Sequence, residues 1–175
     1  LSTTVYSDEH EGAAMALADS KLKAIVANTQ VISAINAQNA KTAGLDEAAI
    51  IVLDKKWRAE TKATLKPMID GILANGLSQY LAAAEQSEGL LTEIFVMDAK
   101  GLNVGQSGVT SDYWQGDEAK WKKTFLPGSG AIFVDKVEED ESTQTFQTQV
   151  SLAITDPATG KVIGAVTFGV NAEQL

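Results

Sequence analysis

Apolar and polar positions change their period once along this chain, near residue 90. Before that point apolar residues recur three or four apart, and after it they alternate. From Asp8 to about Asn39, residues such as Ala13, Leu17, Leu22, Val31, Ile32 and Ile35 fall at helical spacing with no proline among them, which predicts one long helix. Ser7 or Asp8 stands where a cap belongs. The stripe is longer than one small sheet needs, so its surplus is either ordinary core packing or a dimer seam. Lys41–Gly44 breaks the pattern. A second helix starts at Leu45-Asp46-Glu47 and presents Ile50, Ile51, Leu53 and Trp57. Asp54 and Arg58, four apart on it, read as a solvated ion pair of little energetic weight. Thr61 to about Gln86 continues helically, interrupted at Pro67 and weakened at Gly71 and Gly76.

From Leu90 the alternation predicts strands. Leu91, Phe95 and Met97 alternate with Thr92, Ile94 and Val96, Asp98–Gly101 turns, and Leu102–Ser107 returns. Three further strands follow, at about 131–137, 144–155 and 161–170, the last two joined by the turn Asp156-Pro-Ala-Thr-Gly160. On the long strand Phe146, Val150, Leu152 and Ile154 share one face, and Thr145, Gln147, Gln149 and Ser151 the other. The expectation is an α+β domain spanning 1–175: residues 1–88 mainly helical, and residues 89–175 a five-stranded antiparallel sheet with a lid insert at 108–130.

Composition narrows the function more by exclusion than by assignment. A net charge of −9 excludes a nucleic-acid partner and disfavours anionic lipid. With no cysteine and a single histidine, His10, neither a thiolate site nor a histidine metal pair can be built. No apolar run of about twenty residues spans a bilayer. Opening at Leu1 without a methionine, the chain reads as a mature product or an excised segment, with any leader or membrane helix outside it. The acidic run Glu138–Glu141 lacks the central glycine of a calcium loop and reads as a solvated hairpin tip. No phosphate loop or nucleophile elbow is present. Asp112 and Asp117 are the one pair of carboxylates that a hydrolase reading can use, and turn and cap chemistry already explains both. The expectation is no enzyme, no metal and no cofactor.

The stretch Thr110–Phe125 holds two of the three tryptophans, Trp114 and Trp121, together with Tyr113, Asp112, Asp117 and three lysines. Aromatic walls beside a few placed polar groups suit a small polar ligand, and they equally suit anchoring a loop to a sheet.

At this point the chain resembles the Cache sensor domains, the PAS-like extracytoplasmic input modules of bacterial receptors. The resemblance rests on the long N-terminal helix, Leu-Asp-Lys-Lys-Trp-Arg at 53–58 and Ile-Phe-Val-Met-Asp-Ala-Lys-Gly at 94–101. It rests more specifically on Ser-Asp-Tyr-Trp-Gln-Gly-Asp-Glu-Ala-Lys-Trp at 111–121 and Asp-Pro-Ala-Thr-Gly-Lys-Val-Ile-Gly-Ala-Val at 156–166. It implies a single Cache unit, a periplasmic location with membrane contact only through helices outside the segment, a homodimer through the long helix, and a small-metabolite ligand. The receptor it implies is a histidine kinase, a chemoreceptor or a cyclic-di-GMP enzyme; a stand-alone secreted or periplasmic binding protein is the alternative. Amino-acid-binding relatives use an arginine and a Trp-Tyr pair, whereas Tyr113-Trp114 stands in the opposite order here and Arg58 is the only arginine. A small organic acid is the ligand class that remains, held by Lys120, Lys122 or backbone N–H groups. The candidate pocket accordingly has Tyr113, Trp114, Asp117 and Trp121 as lid and lateral wall, over a floor of Phe133, Asp135, Phe146 and Gln147.

Overall fold

The computed structural model describes residues 3–141 and 144–175. Its helical layer opens with α1 (Thr3–Leu17), passes through a π-helical turn at Ala18–Leu22 into α2 (Lys23–Val26), and resumes as α3 (Thr29–Thr42). Ala14, Ala18, Leu22 and Val26 are all buried. A spacing of four drifts ahead of a 3.6-residue turn, and the wider π turn takes up that drift. The single helix expected over Asp8–Asn39 is therefore corrected in two places. It starts earlier, at Thr3, and it breaks at Asn28, which is extended (φ −66°, ψ 135°) and whose side chain accepts from Gln30 N at 2.8 Å. A short polar side chain that bonds the local backbone favours a cap over a helix interior.

Asp46 caps α4 (Glu47–Glu60), accepting from Ala49 N at 2.8 Å. Residues 61–66 are not helical, contrary to the expected continuation. Pro67 opens α5 (Pro67–Leu73), and Glu60 caps it from α4: one carboxylate oxygen accepts from Met68 N at 2.8 Å and Ile69 N at 3.0 Å. After a second break, Asn75 caps α6 (Gly76–Ser87).

The strands are β1 (Leu91–Met97), β2 (Asn103–Gln106), β3 (Ile132–Val134), β4 (Glu138–Asp140), β5 (Thr145–Thr155) and β6 (Val162–Asn171). All pair antiparallel in the order β2-β1-β6-β5, with β3 and β4 in tandem along the outer edge of β5. The five expected strand positions are thus present, the edge one divided between Val134 and Glu138. The acidic run is not wholly a hairpin tip, since Glu138–Asp140 forms β4 opposite Gln147–Thr145. This is the α+β arrangement that the Cache resemblance implies, with a PAS-like sheet covered by helices on one face.

That face carries the main core. Ile94, Val96, Val150, Leu152, Val166 and Phe168 are buried against Leu22, Val31, Ile35, Leu77 and Leu81 of the helices. Each such side chain contributes about 1.5–3 kcal/mol on burial. A second cluster beyond β2 joins Ile50 and Trp57 of α4 to Ile69, Leu102 and Tyr113.

Candidate functional site

The segment after β2 crosses to the sheet face that the N-terminal helices leave bare, and every stage of that crossing is tied down. Trp57 Nε1 donates to Thr110 O at 2.8 Å, and its ring stacks on Tyr113 at 5.6 Å between centroids. Asp54 Oδ1 accepts from both Tyr113 N and Trp114 N at 2.9 Å, while its Oδ2 takes Arg58 Nε at 2.6 Å. Arg58 reaches on to Asp112 at 2.9 Å. Its guanidinium is held above its ordinary pKa, chiefly by the hydrogen bond to Asp54. The Asp54–Arg58 pair, expected to be solvated, is corrected: Asp54 is buried because the peptide groups of the crossing segment fold onto it.

Trp114 Nε1 donates to Lys100 O at 2.9 Å, and Gln115 N to Gly101 O at 2.7 Å. Here two backbones touch. A Cβ on Gly116 would sit 2.7 Å from Lys100 O, so only glycine lets the lid lie against the β1–β2 turn. The short helix α7 (Ala119–Lys122) follows. Its cap position is Glu118 rather than the expected Asp117, which is exposed, and Glu118 pairs with Lys120 at 2.8 Å instead of capping. Trp121 packs on Phe95, Met97 and Ala165, stacks on Phe125 at 4.7 Å and donates its indole N–H to Asp98 O at 3.1 Å.

The strand face beneath is polar where α7 stops. Ser151 and Thr167 bond each other at 2.8 Å, and Gln149 Nε2 donates to Glu93 Oε1 at 2.8 Å. Glu93 lies over Gly169 of β6, its direct partner. A Cβ there would come within 2.6 Å of Glu93 Cγ, so the glycine makes room for the carboxylate. Between this floor and the lid lies a cavity of about 540 Å³. Glu93, Gln147 and Gln149 rise from the sheet, Glu118 and Lys120 come from the lid, and Asp135, Lys136, Glu138 and Glu139 come from the divided edge. The edge interruption is itself bonded, Asp135 N donating to Gln149 O at 2.9 Å and Thr148 Oγ1 to Asp135 O at 2.7 Å.

The expected site residues separate into groups. Asp135 and Gln147 line this cavity. Phe133 shares their face opposite Ser151, with Lys123 Nζ 4.6 Å above its ring. Phe146, at 44 % exposure, lies beyond the helical cover and off the cavity. Tyr113, Trp114 and Trp121 have their polar edges or rings engaged by protein, and burial pushes the Tyr113 phenol up to about 12, with Asp98 adding to the shift. Lys120, expected as a partner for a carboxylate ligand, lines the cavity, whereas sequence reading missed Glu93, Glu118, Lys136, Gln149 and the two β4 glutamates as lining. Glu93 was signalled by its charge in a largely apolar strand and shares the lid face with Phe95 and Met97 by alternation, whereas the register irregularity between Leu91 and Glu93 turns Leu91 to the helical face. No cluster of three carboxylate or histidine groups able to hold a metal occurs among the described residues.

A second cavity, of about 340 Å³, opens on the opposite face between the α2–α3 break and β3. Val26, Ile32, Ile132 and Leu152 make it apolar, with Lys23 at its rim. It offers few groups to orient a polar ligand.

No family model matches the chain, and no curated protein does. Among solved structures it is similar to the extracellular domain of the putative histidine kinase rpHK1S-Z16, at 16% identity over 73% of this chain and 50% of that one, with a TM-score of 0.46. It is similar to the ligand-binding domain of the Pseudomonas aeruginosa amino-acid chemoreceptor PctC in complex with GABA, at 14% identity over 82% of this chain and 57% of that one, TM-score 0.45. The ligand-binding domain of the Campylobacter jejuni chemoreceptor Tlp3 in complex with 4-methylisoleucine is similar at 14% identity over 99% and 64%, TM-score 0.43. The chain spans between half and just under two thirds of the length of these structures.

Proposed function

We propose that the chain is a small-molecule-binding sensor domain, the extracytoplasmic input module of a bacterial signal-transduction receptor. The observation that carries this reading is the cavity of about 540 Å³ between the lid and the bare sheet face, a size and position suited to a metabolite. Asp135 and Gln147, with Glu93, Lys120 and Gln149, are the ligand-facing groups. Tyr113, Trp114 and Trp121 fasten the lid, with Asp117 at its surface and Phe133 beneath Lys123. Its role is binding rather than catalysis. The same reading includes pairing of two copies through α1–α3, where Met15 is 37 % exposed, and light scattering of the purified chain tests it. No helix of the described residues is long and apolar enough to cross a membrane, so a receptor requires a tether outside this segment.

The test is a thermal-shift screen against metabolites, since a ligand bound only by the folded state stabilises it by mass action, by about 2.7 kcal/mol at a hundredfold excess over Kd, and so raises the melting temperature. A hit is expected to lose its shift in Gln149→Ala and Asp135→Ala and to keep it in Ile132→Ala, which alters the apolar groove. A shift that survives both lid-side substitutions and disappears in Ile132→Ala would move the site to the other face.

A further inference from the structure

The charges around the lid cavity are unequal, with an excess of three acidic residues over lysines that the one ion pair among them leaves unchanged. Five acidic residues, Glu93, Glu118, Asp135, Glu138 and Glu139, line it with two lysines, Lys120 and Lys136, Glu139 from the strand position opposite Phe146. Lys120 is already committed. Its Nζ lies 2.8 Å from Glu118, and it sits 5.5 Å above the Phe95 ring. Among the described residues none of Glu93, Asp135, Glu138 and Glu139 makes an ion pair, and of the two lysines lining the cavity only Lys136 remains to offset them. A carboxylate ligand entering here would meet its own sign at the floor and along the edge, whereas a cation would be drawn in and hydrogen-bonded.

The placement of these groups says which cation. They are distributed over the floor, the lid and the edge rather than converging, and no three of the described acidic groups meet as a metal site. That disfavours a bare divalent ion, which needs several oxygens at one point. It suits an elongated molecule with charge at more than one place. Among the described residues the lining contains no aromatic side chain, while the Gln149 side-chain oxygen adds an acceptor to the carboxylates. A quaternary ammonium group wants aromatic faces, and a primary ammonium group wants acceptors. Resting on the sensor reading above, we infer that the lid cavity takes a small organic cation bearing two or more primary ammonium groups, and not the small organic acid that the sequence leads one to expect.

Three ligands of one length and three charges test this by calorimetric titration of the full chain: 1,4-diaminobutane, 4-aminobutyrate and succinate, with choline and Mg²⁺ as further probes. The diamine should bind at least tenfold tighter than 4-aminobutyrate and than choline, succinate should give no measurable heat, and added salt should weaken the diamine. Asp135→Asn and Glu93→Gln should each weaken the diamine about tenfold, the scale of one charge-assisted hydrogen bond, with Glu47→Gln, exposed at the start of α4 beyond the opposite edge of the sheet, as the unchanged control. Tighter binding of succinate or 4-aminobutyrate, lost in Gln149→Ala, overturns the cation while leaving the cavity as the site. Diamine binding indifferent to both substitutions overturns cavity and cation together. Stoichiometric Mg²⁺ binding lost in Asp135→Asn replaces the inference with a metal site. Absence of heat from all five probes overturns the inference too, and leaves the sensor reading to be decided by the wider metabolite screen.

Discussion

Asp54 shows how much one carboxylate can organise when peptide groups close over it. Its Oδ1 receives two N–H groups of the lid segment and its Oδ2 a guanidinium that is itself half in solvent. The exposed partner contributes little, whereas two peptide N–H groups stripped of their acceptor cost the desolvation of each. Asp54→Ala is therefore expected to lower stability by about 3 kcal/mol in urea unfolding, and Arg58→Gln by less than about 1 kcal/mol. Equal losses would show that the ion pair, not the backbone clamp, is what matters. Tyr113, stacked on Trp57 beside that clamp, makes a pH prediction. Its phenol is pushed up to about 12 because burial penalises the tyrosinate and Asp98 repels it. Between the ordinary value near 10 and about 12 the unfolded chain releases a proton that the folded chain keeps, so stability falls as pH rises through that window and is untouched by this group below it. Tyrosinate absorbance should show a late-ionising component that Tyr113→Phe removes.

At the scale of elements, α7 is too short to hold itself in place. A four-residue helix has almost no intrinsic stability, and Trp121 supplies it from outside by packing on β1 and β6 and by one hydrogen bond to the β1–β2 turn. Trp121→Phe keeps one aromatic ring against Phe125 and removes the indole N–H together with part of the buried ring system. It should cost about 2 kcal/mol and raise amide exchange over residues 115–125 while leaving that of β5 and β6 unchanged. Elements of this kind mark the limit of what the sequence discloses. The switch of period near residue 90 and the turn at Asp156–Gly160 made the helical layer, the sheet and its strand positions legible. The break at Asn28 was not, because an asparagine between apolar pairs looks like any polar helix position until its side chain is seen on Gln30 N. Nor was the division of the outer strand, which depends on how residues 135–137 bridge two registers of β5. The cavity suffered most. Asp135 and Gln147 follow from strand parity, but the room for Glu93 depends on its cross-strand partner being Gly169, which only the pairing reveals, and aromatic content drew attention to residues that hold the lid rather than line the space beneath it.

Over the whole molecule, one fully buried residue touches every layer. Asp98, at the end of β1, accepts Lys100 N at 2.8 Å and Leu102 N at 3.0 Å on Oδ1, closing the turn to β2. Its Oδ2 accepts Thr42 Oγ1 at 2.9 Å and Gln38 Nε2 at 3.1 Å from α3, and its backbone oxygen accepts the Trp121 indole from the lid. Helix, sheet and lid thus meet at a group whose four side-chain acceptor positions are all in use. An isosteric amide cannot reproduce this, because one of its two ends is a donor and would face donors. Asp98→Asn is accordingly expected to cost about 3 kcal/mol, more than the usual surface change, and the loss should be spread rather than local. Hydrogen exchange distinguishes the two: faster exchange appearing together in residues 38–42, in the β1–β2 turn and in residues 115–125 means that Asp98 couples the layers. Acceleration confined to the turn would mean that α3 and the lid are held by their own contacts. In that case, closing the lid over a ligand would have no rigid path through Asp98 to the N-terminal helices, and the connection would have to run through the sheet itself.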